Sequence, residues 1–320
     1  MEEYRQPPGA YKLAFEFTEA ISQLWNTPGG ARFGWRLLGW TSLFIFAVML
    51  GGVLLLAKPY GELFVAAASM DPNASPAEAR EDLRQIMDIF GKLAGPFLLV
   101  GLGSWFAAVA GEAALHRKAL HGTEAERMPL RFGIDELRII GAQLLLFLFV
   151  FGIYIGAIII GILTLGIGFL VTIPGMIFLI IYVPIIYATA GALSVRDGAF
   201  RFNESKAVTK NRRGAMFGAY VFIWVTYYIG ITVLQALAFN VLFGGGYGEL
   251  IRLEDPDAVL EIVSTVSERF QSPITQLLSA LLVGIYSAGI TLFYLVNSGV
   301  GTYTLRVYER LGAAQAGTTV

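Results

Sequence analysis

Two histidines, no cysteine and 24 carboxylates in 320 residues set narrow limits on the chemistry this chain can do. His116 and His121 are five positions apart, a spacing that turns them onto different faces of a helix. With no thiolate and no close carboxylate pair to join them, they complete no metal set. Both fall after the second apolar span and read as interfacial loop histidines. No Gly-x-Ser-x-Gly or comparable nucleophile motif accompanies them. The residues therefore predict no catalytic site, no metal and no cofactor, and a non-enzymatic protein. Glu112 is the sole acid inside an apolar span, where a charge costs about 2.5–3.5 kcal/mol at the centre. It lies near the span's end, so it is expected to reach the headgroups or pair with Arg117 or Lys118. With no further acid or histidine in a span, a proton-coupled pump is not expected.

Two other features could bear on function. Pro174, Gly175 and Pro184 interrupt the fourth span, and such breaks can expose backbone carbonyls to a substrate, although most only kink a helix. The segments 11–25 and 196–213 carry basic residues on one side and Phe15, Phe17 and Ile21, or Phe200, Phe202 and Val208, on the other. Arg201, Lys206, Lys210, Arg212 and Arg213 form a candidate surface for anionic headgroups or a protein partner, at about 1 kcal/mol per charge. Gln143, Gln235, Asn240 and Asn297 read as interhelical hydrogen-bonding groups. Gly152-x-x-x-Gly156 and Gly214-x-x-x-Gly218 suit close helix approach, within the chain or between copies.

The elements that position these residues are membrane spans. The chain is 56% hydrophobic and 15% charged, against about a quarter charged in a soluble domain. The 57 positions between Arg138 and Arg196 hold no Asp, Glu, Lys, Arg or His. As one helix they would reach about 85 Å, against a hydrocarbon core of about 30 Å, so they must fold back. Six spans follow, near Trp35–Ala57, Leu93–Leu115, Ile139–Ile162, Phe169–Ala190, Ala215–Phe243 and Leu277–Val300. The fold class is an all-α integral membrane protein, three hairpins with interfacial amphipathic helices. The predicted sections are a cytoplasmic lead-in 1–34, a first hairpin 35–138, a central hairpin 139–195 and a last section 196–320. The lead-in lacks the short apolar core and small-residue cleavage site of a secretory signal. With both termini inside, 17 of the 23 Lys and Arg lie in inner segments. The two larger outer loops carry twelve acids, so the positive-inside rule places both termini in the cytoplasm of a bacterial inner membrane.

Both outer loops carry a helix start. Ser75-Pro76 precedes Leu83, Ile86, Met87, Phe90 and Leu93 at helical spacing, and Asp255-Pro256 precedes Val259, Ile262, Val263, Val266 and Phe270. Each is expected to be an amphipathic helix lying against the outer membrane surface or on the bundle mouth. The chain also resembles itself. Residues 14–20, Ala-Phe-Glu-Phe-Thr-Glu-Ala, match residues 199–205, Ala-Phe-Arg-Phe-Asn-Glu-Ser, and Leu98-Leu99-Val100-Gly101 parallels Leu281-Leu282-Val283-Gly284. Both copies start on the same side, which predicts a parallel internal repeat.

The run Glu204-Ser205-Lys206-Ala207-Val208-Thr209-Lys210-Asn211 before a new span, and the ending Leu305-Arg306-Val307-Tyr308-Glu309-Arg310-Leu311, resemble the membrane domain of glycerophosphodiester phosphodiesterases and related stand-alone bacterial multipass proteins. In that family the chemistry sits in a separate soluble domain with a His-Arg-Gly motif. Here His116-Arg117 is followed by Lys118 and there is no room for that domain, so the resemblance implies the membrane architecture without the activity. The expected role is to organise lipid or protein partners through the basic inner segments, the partners being membrane lipids, a protein or a second copy, and not nucleic acid. The competing expectation is a carrier or channel for a small or amphiphilic solute. A polar mid-membrane cavity near Pro174, Asn297 and Gln143 would favour transport; a dry bundle with exposed basic helices would favour the organising role.

Overall fold

The computed structural model describes residues 15–68, 75–122, 128–164, 169–243 and 272–315. All regular structure among them is helical: α1 (Phe17–Ile21), a 3-10 turn (Ser22–Leu24), α2 (Gly30–Ala68), α3 (Pro76–His121), α4 (Ile134–Leu163), α5 (Phe169–Tyr187), α6 (Ala190–Asp197), α7 (Ser205–Thr209), α8 (Arg213–Phe243) and α9 (Pro273–Gln315). Six stretches are long and apolar enough to cross a membrane, the fourth running from α5 into α6. Their outward faces are aliphatic and aromatic, with Leu54, Leu163 and Leu277 all more than 70% exposed. Such a surface is stable only against lipid, and helices are the open-edged-free way to satisfy backbone groups there. The chain is a multipass membrane protein.

The helices are longer than the apolar spans. The acidic amphipathic segment after Ser75 is helical and continuous with the second span, as the first part of α3, which runs 46 residues, about 70 Å. Ser75 starts it with a reciprocal cap. Its amide donates to Glu78 Oε2 at 2.8 Å, and its hydroxyl accepts from the Glu78 amide at 3.4 Å. At its other end α3 continues through His116 to His121, so both histidines are helical rather than in a loop. Hydropathy stops where charges begin; the backbone ladder does not. The segment 196–213, expected as one amphipathic helix, is instead broken. Gly198 adopts φ 63° and caps α6, and only α7 is helical before α8. The repeat-related residues 199–204 are bend and turn where Phe17–Ile21 is helix. The second outer helix expected after Asp255 lies outside the described residues.

The chain forms two compact units. The first takes residues up to Trp40, Val109–Val225 and those from Leu292 onward; the second takes Thr41–Ala108 and Thr226–Thr291. In the second, α2 and α3 meet at small residues, where a Cβ on Gly103 would lie 2.9 Å from Val48 Cγ1. Ala66, Ile89 and Leu93 pack beside that seam, and Lys92 reaches Glu62 at 3.4 Å. The first unit holds most of the buried side chains. Leu24, Phe33, Leu37, Leu115 and Leu295 form one cluster, and Ile185, Met216, Val300 and Tyr303 belong to another. Since lipid is as apolar as leucine, these clusters are held by close packing and interhelical hydrogen bonds rather than by the hydrophobic effect. Within the first unit the packing is tightest at Gly301 of α9, where a Cβ would lie 2.2 Å from the Ala188 carbonyl oxygen.

Candidate functional site

Glu112 and His116 are four residues apart on α3, hence on one face, and that face points into the first unit. Both are buried, His116 at 1% exposure. Glu112 Oε1 lies 3.2 Å from His116 Nε2. Its Oε2 accepts from Gln143 Nε2 of α4 at 2.8 Å and from the Tyr294 hydroxyl of α9 at 2.8 Å. Gln143 Nε2 also donates to the Tyr294 oxygen. His116 Nδ1 meets Thr302 Oγ1 at 2.8 Å, and Thr302 donates its own proton to the Ser298 carbonyl at 3.0 Å. Thr302 already donates to Ser298, so its oxygen is placed to accept from His116, and Glu112 and His116 form one buried hydrogen-bonded pair. Glu112 thus pairs with His116 rather than with Arg117 or Lys118.

Arg117 turns instead to α4. It donates to Glu136 at 2.6 Å and lies 3.5 Å from Asp135, with Glu136 1% exposed. The other Glu136 oxygen accepts from the Gly133 amide at 2.8 Å and so starts α4. This pair fixes the start of α4 against the end of α3 and thereby sets Gln143 opposite Glu112. Gly191 of α6 completes the enclosure. A Cβ there would lie 3.0 Å from Glu112 Oε1 and 3.3 Å from His116 Nε2.

Beside this network is a cavity of about 170 Å³ whose lining includes Glu112, Gln143, Tyr220, Tyr294, Asn297 and Ser298 on its polar side. Its apolar wall includes Ile139, Leu146, Pro184, Tyr187 and Phe202. Tyr220 donates to the Asn297 carbonyl at 3.3 Å, and Asn297 Nδ2 donates to the Phe293 carbonyl at 2.8 Å. Asn297 Oδ1 is buried without a hydrogen-bond partner, on a residue of the lining. A buried acceptor of this kind calls for a donor from water or solute. An apolar cavity of about 150 Å³ admits benzene, so this one suits a solute of that size with a donor group at one end. A second cavity, about 360 Å³ in the second unit, is walled by Met49, Leu56, Val100, Leu282 and Tyr286, with Gln235 as its amide. It offers little to orient a ligand.

Comparison of the chain with family models, with curated proteins and with solved structures gives no match. The site is therefore read from its own geometry. Of the polar residues singled out in the sequence, Gln143 and Asn297 meet at the cavity, and Pro184 lines it. Pro174 and Gly175 sit exposed within an unbroken α5, and the backbone breaks later, at Ala188–Thr189. There the Ile186 carbonyl accepts from Ser205 at 3.0 Å and Thr209 at 3.1 Å, so the break is satisfied by α7.

The basic surface is largely engaged within the protein. Arg201 pairs with Glu204 at 3.0 Å and Asp197 at 3.3 Å. The Glu204 carboxyl is held below the usual range, first by its own backbone amide and then by that guanidinium. Lys206 lies 5.3 Å over the Tyr187 ring. Arg213 reaches the Tyr182 hydroxyl and the Lys206 carbonyl. Arg212 donates to the Val208 carbonyl at 3.1 Å and packs on Tyr308, and burial lowers its guanidinium from the ordinary value. Lys210 is exposed. Phe202 and Val208, expected at the headgroup boundary, are instead 4% and 3% exposed, with Phe202 stacked 4.1 Å from Tyr187. Sequence reasoning weighed Glu112 and His116 separately and missed that they pair; their i,i+4 spacing was the available signal.

Proposed function

We propose that the protein is a non-enzymatic membrane carrier for a small amphiphilic solute, with the cavity beside Glu112 as its binding site. The observation that carries this reading is the unpartnered Asn297 Oδ1 in the wall of a cavity that has a polar side and an aromatic wall. Pockets for small molecules combine a mostly apolar lining with a few placed polar groups that fix orientation. A solute with an ammonium, amide or hydroxyl head would donate to Asn297 and lay its apolar body against Tyr187 and Phe202. The Glu112–His116 pair, hydrogen-bonded to Gln143, Tyr294 and Thr302, supplies polarity there with its polar atoms already partnered. The positive-inside distribution supports a bacterial inner membrane with both termini cytoplasmic. The three-hairpin plan, the parallel repeat and the likeness to phosphodiesterase membrane domains belong to the same reading as its architecture. Recruitment of a partner through Arg201, Lys206, Arg212 and Arg213 has weaker support, because those side chains already hold α6, α7 and α8 together.

Toluene, benzyl alcohol and benzylamine test the proposal, since they share a ring and differ in the donor. Benzyl alcohol or benzylamine should raise the thermal midpoint of the purified protein more than toluene does, and Asn297→Ala should abolish that difference. Equal shifts by all three probes in the parent protein would contradict it.

A further inference from the structure

A second polar cavity in the first unit lies where α9 passes the 3-10 turn and α1, apart from the Glu112 network. It is about 220 Å³, and its lining includes Glu19, Gln23, Asn26, Tyr303, Arg306 and Arg310. Arg306 and Arg310 are four apart on α9 and so share a face, an arrangement that is repulsive unless an anion lies between them. Neither has an ion pair among the described residues, and the neighbouring Glu309 is taken by Arg196. Gln23 is 2% exposed, yet its Nε2 has no hydrogen-bond partner. Asn26 Nδ2 donates to Ser22 Oγ at 2.7 Å, which holds that amide at the rim. Two guanidiniums, a buried amide donor left open and a polar hollow of this size match a tetrahedral oxyanion.

We infer that this cavity binds the phosphate of an anionic phospholipid headgroup. Charge selects the class. Two arginines against the Glu19 carboxylate leave a formal +1, which one phosphodiester neutralises and a zwitterionic headgroup does not. Position selects lipid over free phosphate: on α1, beside Glu19, Phe17 is 40% exposed and packs edge-on to Phe222 at 5.5 Å, an aromatic anchor of the kind that sits at a bilayer interface. The acyl chains would then extend along the helices into the bilayer.

The test uses the full chain in nanodiscs of equimolar phosphatidylglycerol and phosphatidylethanolamine, followed by native mass spectrometry of retained lipid. Phosphatidylglycerol should be retained at least fivefold over phosphatidylethanolamine. Arg306→Gln/Arg310→Gln should remove that preference, whereas Glu112→Gln should keep it. Arg310→Gln alone, at an exposed position with no internal partner, provides the readout if the double variant fails to fold, and should reduce the preference at least twofold. Equal retention of the two lipids by the parent protein overturns the inference. So does an unchanged preference in Arg310→Gln, and so does full thermal protection by inorganic phosphate in lipid-free detergent, which would assign the cavity to a soluble anion.

Discussion

A double-mutant cycle between Glu112 and Tyr294 probes the polar network where its parts come from different helices. The Tyr294 hydroxyl donates to Glu112 Oε2 at 2.8 Å, and both groups lie inside the first unit. A hydrogen bond to a charged group contributes about 1.5–3 kcal/mol in water-soluble proteins. Interhelical bonds in membrane proteins average about 0.6 and reach about 1.7 kcal/mol, because the unfolded chain in lipid also finds partners. The Glu112 bond combines a charged acceptor with that weaker reference, so a coupling of about 1–1.5 kcal/mol is expected. Glu112→Gln leaves one oxygen and sets an amide nitrogen against either the Gln143 and Tyr294 donors or His116, and should cost about 2–3 kcal/mol. Tyr294→Phe leaves Oε2 still bonded to Gln143, and should cost about 1 kcal/mol. Reversible unfolding in mixed detergent micelles, followed by the fluorescence of the five tryptophans, yields all four corners of the cycle. Additivity within about 0.3–0.5 kcal/mol would mean that the two side chains do not interact, and the network would be refuted.

Three further outcomes follow from single contacts. Gly301→Ala sets a methyl 2.2 Å from the Ala188 carbonyl oxygen, which is backbone, so it should destabilise the protein by about 2–3 kcal/mol in the same assay. Gly191→Ala meets Glu112 Oε1 at 3.0 Å, a side-chain atom that can yield, so stability should fall by only about 1 kcal/mol while benzylamine protection is lost. Glu136→Gln breaks the buried pair with Arg117 and should cost about 3–5 kcal/mol, with Arg117→Met/Glu136→Gln recovering part of it because no buried charge is then left unpaired.

The spans were legible because a bilayer imposes one rule on every crossing: about 20 apolar residues without charge. The six-helix architecture follows from that rule alone, and the stretch from Arg138 to Arg196 shows it most clearly. The site was not legible for two reasons. Hydropathy ends the second span at Leu115, which severs Glu112 from His116, although a helix extended by one turn places them on one face. The other partners, Gln143, Tyr294 and Thr302, come from α4 and α9, and their convergence depends on packing at Gly191 and Gly301 that no local pattern encodes. Charge patterning in the segment 196–213 showed the basic residues but not their internal contacts, for a related reason. Arg201, Lys206 and Lys210 are exposed, while the left-handed Gly198 interrupts the segment and its arginines also meet Glu204, Tyr182 and Tyr308.

Cysteine accessibility tests the cavity most directly, since the chain contains no native thiol. Ser298→Cys places a thiol in the lining, and Leu295→Cys, on the same helix, places one in the packed core. A small cationic methanethiosulfonate reagent applied to the protein in nanodiscs should modify Ser298→Cys, with benzylamine slowing the reaction, and should leave Leu295→Cys intact. Equal rates at the two positions, or modification of Ser298→Cys that benzylamine does not slow, would contradict a solute-binding cavity beside Glu112.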